Sequence, residues 1–196
     1  MSLRIRIPAF CLAASLAACG FAIGPPPQPS MLPVDQQAFW QRLTQLCGRA
    51  FEGRMTQGTA AGDSVFRQNR LVMHVRDCGA DTVRIPFVIG PDASRTWIVT
   101  RVGGGLRLKH DHRHEDGTED RVSRYGGDTR VPGSAKRQEF PADSFTAALL
   151  PAAATNVWAL EVDPGRTFAY ELTRRGTDRR FRVEFDLSRP VAPPAP

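Results

Sequence analysis

Three of the chain's four histidines fall at alternate positions in the run Lys109-His110-Asp111-His112-Arg113-His114-Glu115-Asp116-Gly117. In an extended strand, residues two apart share a face. His110, His112 and His114 would therefore stand in one row with Leu106 and Leu108. Imidazoles spaced this way can ligate a transition metal such as zinc, which takes four ligands at about 2.0–2.1 Å per imidazole nitrogen. The row spans roughly 13 Å at ~3.3 Å per residue, too far for all three to share one ion. A two-residue turn at Asp116-Gly117 would face His114 with Glu119, His112 with Arg121 and His110 with Ser123, and would set Arg113 against Asp120. The candidate metal sites are thus His112 and His114 with Glu119, or His110 and His112 with a group from another strand. Nothing in the sequence places His74 nearby. Two plainer readings stand beside a metal site. One is a polar hairpin tip whose histidines meet water or neighbouring carboxylates. The other is a pH-sensitive patch, because histidine titrates near neutrality.

Other chemistry-bearing patterns lead nowhere. Gly62-Asp63-Ser64 is similar to the GDS block of a class of esterases, but those enzymes need a late histidine and none follows His114. The chain has no G-x-S-x-G, H-E-x-x-H or Walker-type loop, and Gly103-Gly104-Gly105 reads as a turn. The chain reads as a binding protein before it reads as an enzyme.

The N-terminus carries the strongest motif. Arg4 and Arg6 precede an apolar run of about a dozen residues, too short for the ~20 that cross a bilayer but the length of a signal-peptide core. The run closes on Leu16-Ala17-Ala18-Cys19-Gly20, which resembles the bacterial lipobox. The resemblance implies cleavage after residue 18 and acylation of Cys19 by palmitate-like chains. It also implies an outer-membrane address facing the periplasm, because Gly20 replaces the aspartate that marks inner-membrane retention. An ordinary secretory signal is the alternative. Each buried CH₂ of an acyl chain contributes about 0.8 kcal/mol, so several chains together hold firmly.

Beyond residues 1–18 the chain has 24 basic and 20 acidic residues, a balance of +4. The basic residues are arginines apart from Lys109 and Lys136, and they are scattered among acids. A nucleic-acid partner calls for a clustered basic face interleaved with aromatics, so none is expected. Cys11 leaves with the leader. Cys47 and Cys78 remain, and an oxidising compartment favours a disulfide between them; two separate buried thiols are the alternative. No C-x-x-C is present.

Four segments follow: the leader 1–18, a proline-rich tether over 19–34, one domain over 35–189, and a disordered, frayed proline-rich tail over 190–196. The domain opens on a helix in which Asp35 can cap and Phe39, Trp40, Leu43, Leu46 and Cys47 recur at helical spacing. After it the period changes to two. Alternation predicts strands over 70–76, 81–89, 95–101, 106–114, 119–125, 155–162, 167–173 and 180–187, with further short ones over 51–56 and 137–140. A short helix is expected over 143–150. Strict alternation gives one buried and one wet face, the mark of antiparallel sheets. The fold class is therefore mainly β, an antiparallel barrel or sandwich of eight to ten strands behind an N-terminal helix.

That order of elements resembles the calycin-type barrels, the class of lipocalins and nitrobindins, although the lipocalin G-x-W signature is missing. Residues 106–117 and 125–129 are also similar to stretches of uncharacterised bacterial secreted proteins, a resemblance that brings no activity. The expected function is a cell-envelope lipoprotein that binds a small apolar ligand or an envelope protein and touches the membrane through its lipid. The alternative is a metal-binding protein or metalloenzyme built on the His110–His114 strand.

Overall fold

A computed structural model describes residues 31–194. The leader, Cys19, most of the tether and residues 195–196 lie outside it. Helix α1 spans Val34–Thr44 and follows Pro33, whose extended backbone starts it without a side-chain cap. Asp35, expected as the cap, lies one step inside, where its charge suits the positive end of the helix dipole. Phe39, Trp40 and Leu43 turn inward and, with Leu46, join the core. Gly48 then reverses the chain at φ +79°, a region open to glycine at little cost.

Eleven strands follow: β1 (Ala50–Gly58), β2 (Leu71–His74), β3 (Asp77–Cys78), β4 (Thr82–Ile89), β5 (Asp92–Val102), β6 (Gly105–His112), β7 (Tyr125–Asp128), β8 (Arg137–Pro141), β9 (Asn156–Asp163), β10 (Thr167–Arg174) and β11 (Arg180–Val191). Short helices α2 (Ser64–Gln68) and α3 (Ser144–Leu149) lie in two of the connections. The expected antiparallel architecture is present. One sheet runs β7-β6-β5-β4-β2-β1-β11-β10-β9-β8, with β3 beside β4, and its first and last strands pair in the middle of that order.

Its two free edges, β7 and β8, meet through backbone and one threonine. Asp143 N donates to Gly126 O at 3.0 Å. Thr146, fully buried on α3, accepts from Gly126 N and donates to Gly126 O, both at 2.7 Å. The approach excludes any side chain on β7 here. A Cβ on Gly126 would lie 2.0 Å from Leu108 O, and one on Gly127 1.9 Å from Pro141 O.

The alternating residues sort by face. Val83, Ile85 and Phe87 of β4, Leu106 and Leu108 of β6, and Val183 and Phe185 of β11 are buried inside. Outside, Arg137 lies opposite Glu161 and Glu171 opposite Arg182 in the strand register. Arg137 reaches Glu171 at 2.7 Å, and Arg182 pairs with Glu171 and reaches Glu184 at 2.6 Å. A membrane barrel turns an apolar band outward; this wall is ionic and faces water. Among the described residues no helix is long and apolar enough to cross a membrane.

Helix α1 covers one end of the barrel. Gln36 Nε2 donates to Thr129 Oγ1 at 2.9 Å, Arg42 donates to Ala135 O, and the Cys47–Cys78 disulfide ties the segment after α1 to β3.

Three local expectations need correction. Residues 119–124 form no strand, only an isolated bridge from Glu119 to Arg113, and β7 begins at Tyr125. The β1–β2 connection, for which the alternation gave no element, carries a 3₁₀ turn over Ala61–Asp63 and then α2. Finally, Pro190 and Val191 pair with Phe51 and Ala50 instead of fraying. The pairing of β10 with β11 ends at Asp186, so Pro190 stands where its missing N–H costs the sheet little.

Candidate ligand cavity

The end of the barrel away from α1 holds a cavity of about 260 Å³. Pairing of β5 with β6 sets Trp97 opposite His110 and Arg95 opposite His112, and all four side chains face the cavity. The apolar interior row of β5 and β6 therefore changes, towards the mouth, into Trp97 and His110 and then Arg95 and His112. The far wall adds Trp158 from β9, Tyr170 from β10 and Phe181 from β11. Trp97 stacks on Tyr170 at 4.5 Å and on Phe87 at 4.6 Å between ring centres. Such offset ring pairs contribute about 0.5–1.5 kcal/mol each beyond their buried area, so the floor is held rigidly.

His110 is 3% exposed and both its ring nitrogens are engaged. Nδ1 lies 3.1 Å from Tyr125 O and Nε2 lies 2.8 Å from Tyr170 Oη. A carbonyl only accepts, so Nδ1 carries the proton and Nε2 accepts from the Tyr170 hydroxyl. Burial pushes the imidazole down to about 3, which leaves it neutral and a poor base at neutral pH. The Tyr125 ring stacks on His110 at 4.4 Å and 11°. Its hydroxyl, pushed up to about 12 by burial, lies 3.0 Å from His112 Nε2. His112 is itself lowered, first by burial and then by the Arg95 charge. At neutral pH the floor is apolar, aromatic and uncharged.

Charge is confined to the rim. Helix α2 sits there, and Phe66 packs at 4.7 Å from Phe181 between ring centres. Asp63, at the end of the 3₁₀ turn, takes both arms of the Arg179 guanidinium at 2.6 and 2.7 Å, which fastens the β1–β2 connection to the start of β11. The same carboxylate accepts from Ala60 N at 3.0 Å. Arg95 makes one hydrogen bond, through Nη1, to Asp92.

The structure brings His110 and His112 to the cavity and separates His114 and Glu119 from it. The hairpin turn has three residues, Glu115-Asp116-Gly117, with Gly117 at φ +82° and His114 N bonded to Thr118 O. This common three-residue geometry shifts the register by one from the expected two-residue turn and sets Arg113 opposite Glu119. Glu119 consequently lies on the arginine side of the hairpin, 2.7 Å from Arg124 Nε, and His114 is exposed. Among the described residues no three His, Cys, Asp or Glu side chains converge to hold a metal ion. The expected ligand set His110, His112, His114 and Glu119 is not assembled, and His74 belongs to β2 and does not line the cavity. Ser64 is exposed and Asp63 is committed to Arg179, so the GDS tripeptide is structural.

Reading the sequence alone missed Arg95, Arg179, Asp63, Phe66 and Tyr170. Two of these had a usable signal. Arg95 shares the inward parity of Trp97 and Val99, and Tyr170 shares that of Phe168 and Leu172. A polar tip on the apolar face of a strand marks a place where that face stops being core. A larger trough of about 600 Å³ lies outside the wall across β1 and β11, lined by Glu52, Arg54, Glu184 and Asp186; it gathers no aromatic cluster. No family model, curated protein or solved structure matches the chain.

Proposed function

We propose that this protein is a lipid-anchored envelope protein whose barrel binds a small, ring-sized, largely apolar molecule in its mouth, without turning it over. The observation that carries the reading is the 260 Å³ cavity with a floor of aromatic rings, neutral histidines and protonated tyrosines. Small-molecule sites are typically concave and apolar with a few convergent polar groups. A dry apolar cavity of ~150 Å³ holds benzene, so one or two rings fit here. The low basicity of His110 supports binding over proton transfer. The Cys47–Cys78 disulfide supports an oxidising compartment, in line with export and acylation at Cys19.

Trp97 and Trp158 line the cavity and report on it. Titration of the exported protein with dansylamide, a two-ring dye, should quench or shift their emission, with one saturable site that is lost in Trp97→Ala. Saturation unaltered in that variant would place the dye elsewhere and refute the cavity as the site. Metabolic palmitate labelling that persists in Cys19→Ser would refute the anchor.

A further inference from the structure

We infer that the cavity selects an aromatic carboxylate, its ring against Trp97 and Tyr170 and its carboxylate on the guanidinium of Arg95. This rests on the reading of the cavity as a ligand site and adds the charge of its ligand.

The argument is one of unused donors. A guanidinium offers five N–H groups in a fixed fork. Arg179 commits both terminal nitrogens to Asp63 and one of them also to Arg180 O, so its charge is neutralised inside the protein. Arg95 commits only Nη1, to Asp92 at the β4–β5 turn. Among the described residues no protein acceptor takes its Nε or Nη2. Its strand register points it inward beside His112, and its side chain is 30% exposed, open at the mouth. The cavity lining therefore holds two arginines and one acid, and that acid is already taken. An incoming carboxylate meets a guanidinium whose Nε and Nη2 are unused, and its one partner, Asp92, lies outside the lining. A planar fork suits a planar carboxylate.

The ring half follows from the floor. Trp97, Tyr170 and Phe87 stack on one another, within 16° and 24° of the Trp97 plane, and line the cavity as one ordered aromatic wall. Such surfaces favour a flat ring. The floor lies beneath Arg95, so ring and anion sit in one molecule with the anion towards solvent, where its desolvation is least.

The test compares 2-naphthoate with 2-naphthalenemethanol, equal in ring and different in charge, by calorimetric titration of the exported protein and its Arg95→Gln variant. The expected result is naphthoate at least about tenfold tighter than the alcohol, as for a hydrogen bond to a charged group. In Arg95→Gln the naphthoate should fall to the affinity of the alcohol. The alcohol itself should bind the variant unchanged, which reports an intact cavity. Arg95→Lys should recover part of the preference. Equal affinities for the two probes would overturn the inference and leave the ligand site standing. A naphthoate preference that survives Arg95→Gln would overturn the role of Arg95. Failure of both probes on the wild-type protein would overturn the site reading beneath it.

Discussion

Closure of the barrel can be tested at one hydroxyl. Thr146 is fully buried and its Oγ1 both accepts from Gly126 N and donates to Gly126 O at 2.7 Å. Thr146→Val keeps the size of the side chain and removes both bonds. Gly126 O keeps the Asp143 amide at 3.0 Å, but Gly126 N is left buried without an acceptor, which costs about 1–3 kcal/mol. Thr146→Ser keeps the hydroxyl and loses a methyl group, costing about 1 kcal/mol. If packing alone mattered, valine would be nearly neutral and serine the worse of the two. If the hydroxyl clasps β7 to α3, valine is the worse. Urea unfolding followed by tryptophan emission measures both, and at about 2–4 °C per kcal/mol the valine variant should melt roughly 2–12 °C below wild type. Hydrogen exchange at the Gly126 amide should quicken in Thr146→Val and stay near wild type in Thr146→Ser. A valine variant as stable as the serine variant would refute the clasp.

Two further predictions follow from the ends of the barrel. Replacing Cys47 and Cys78 by serine opens a loop of sequence separation 31, which in the chain-entropy model costs ~3–4 kcal/mol. Unfolding free energies with and without reductant should differ by that amount in the wild type and coincide in the double variant. The second concerns acid. An unfolded His110 would bind its proton near 6.5, while the folded one is held down to about 3 by burial. Between those values the unfolded chain holds more protons, so this residue's contribution is complete above about pH 6.5 and is lost as pH falls towards 3. Stability measured from pH 7 to 4 should fall less steeply in His110→Gln than in wild type; equal slopes would show that His110 is not the group responsible.

Alternation was enough to read the architecture because one face of nearly every strand is buried and the other is wet. Val83, Ile85, Phe87 and Ile89 define β4, and Phe181, Val183, Phe185 and Leu187 define the inward face of β11, without reference to any partner. The disulfide was legible for a different reason, since Cys47 and Cys78 are the two cysteines beyond residue 19. The rim was not legible. Helix α2 has five residues, too few for a helical period, and is fixed by Phe66 packing on Phe181 and by the distant Asp63–Arg179 pair. Arg95 and Arg179 look like ordinary solvated arginines until the register shows which way they face.

The histidine hairpin shows why register was the hardest part and why it decides the site. The expected pairing put Ser123 opposite His110, which by the same count would put Tyr125 opposite Leu108. The structure instead puts Tyr125 opposite His110. Asp120 N is bonded to His112 O and Arg124 N to His110 O, so Arg121, Val122 and Ser123 are extra to the ladder. Ser123 compensates from within this bulge: its Oγ accepts the His112 amide at 3.0 Å, replacing a strand partner. The chain re-enters the ladder through Arg124 at φ +62°, the one non-glycine residue with positive φ among those described. That conformation is costly for a side chain of this size and tends to occur where structure serves function. Here its result is specific. From the Arg113–Glu119 register at the turn a regular ladder would set Tyr125 opposite Arg107; the three extra residues move its ring to the level of His110, where it stacks at 4.4 Å and brings its hydroxyl to His112. A ladder continued without the bulge would have left Val122 opposite His110 and the cavity floor without one of its rings. The local irregularity that defeats pattern reading is thus the feature that builds the cavity, as bulges beside functional sites commonly do.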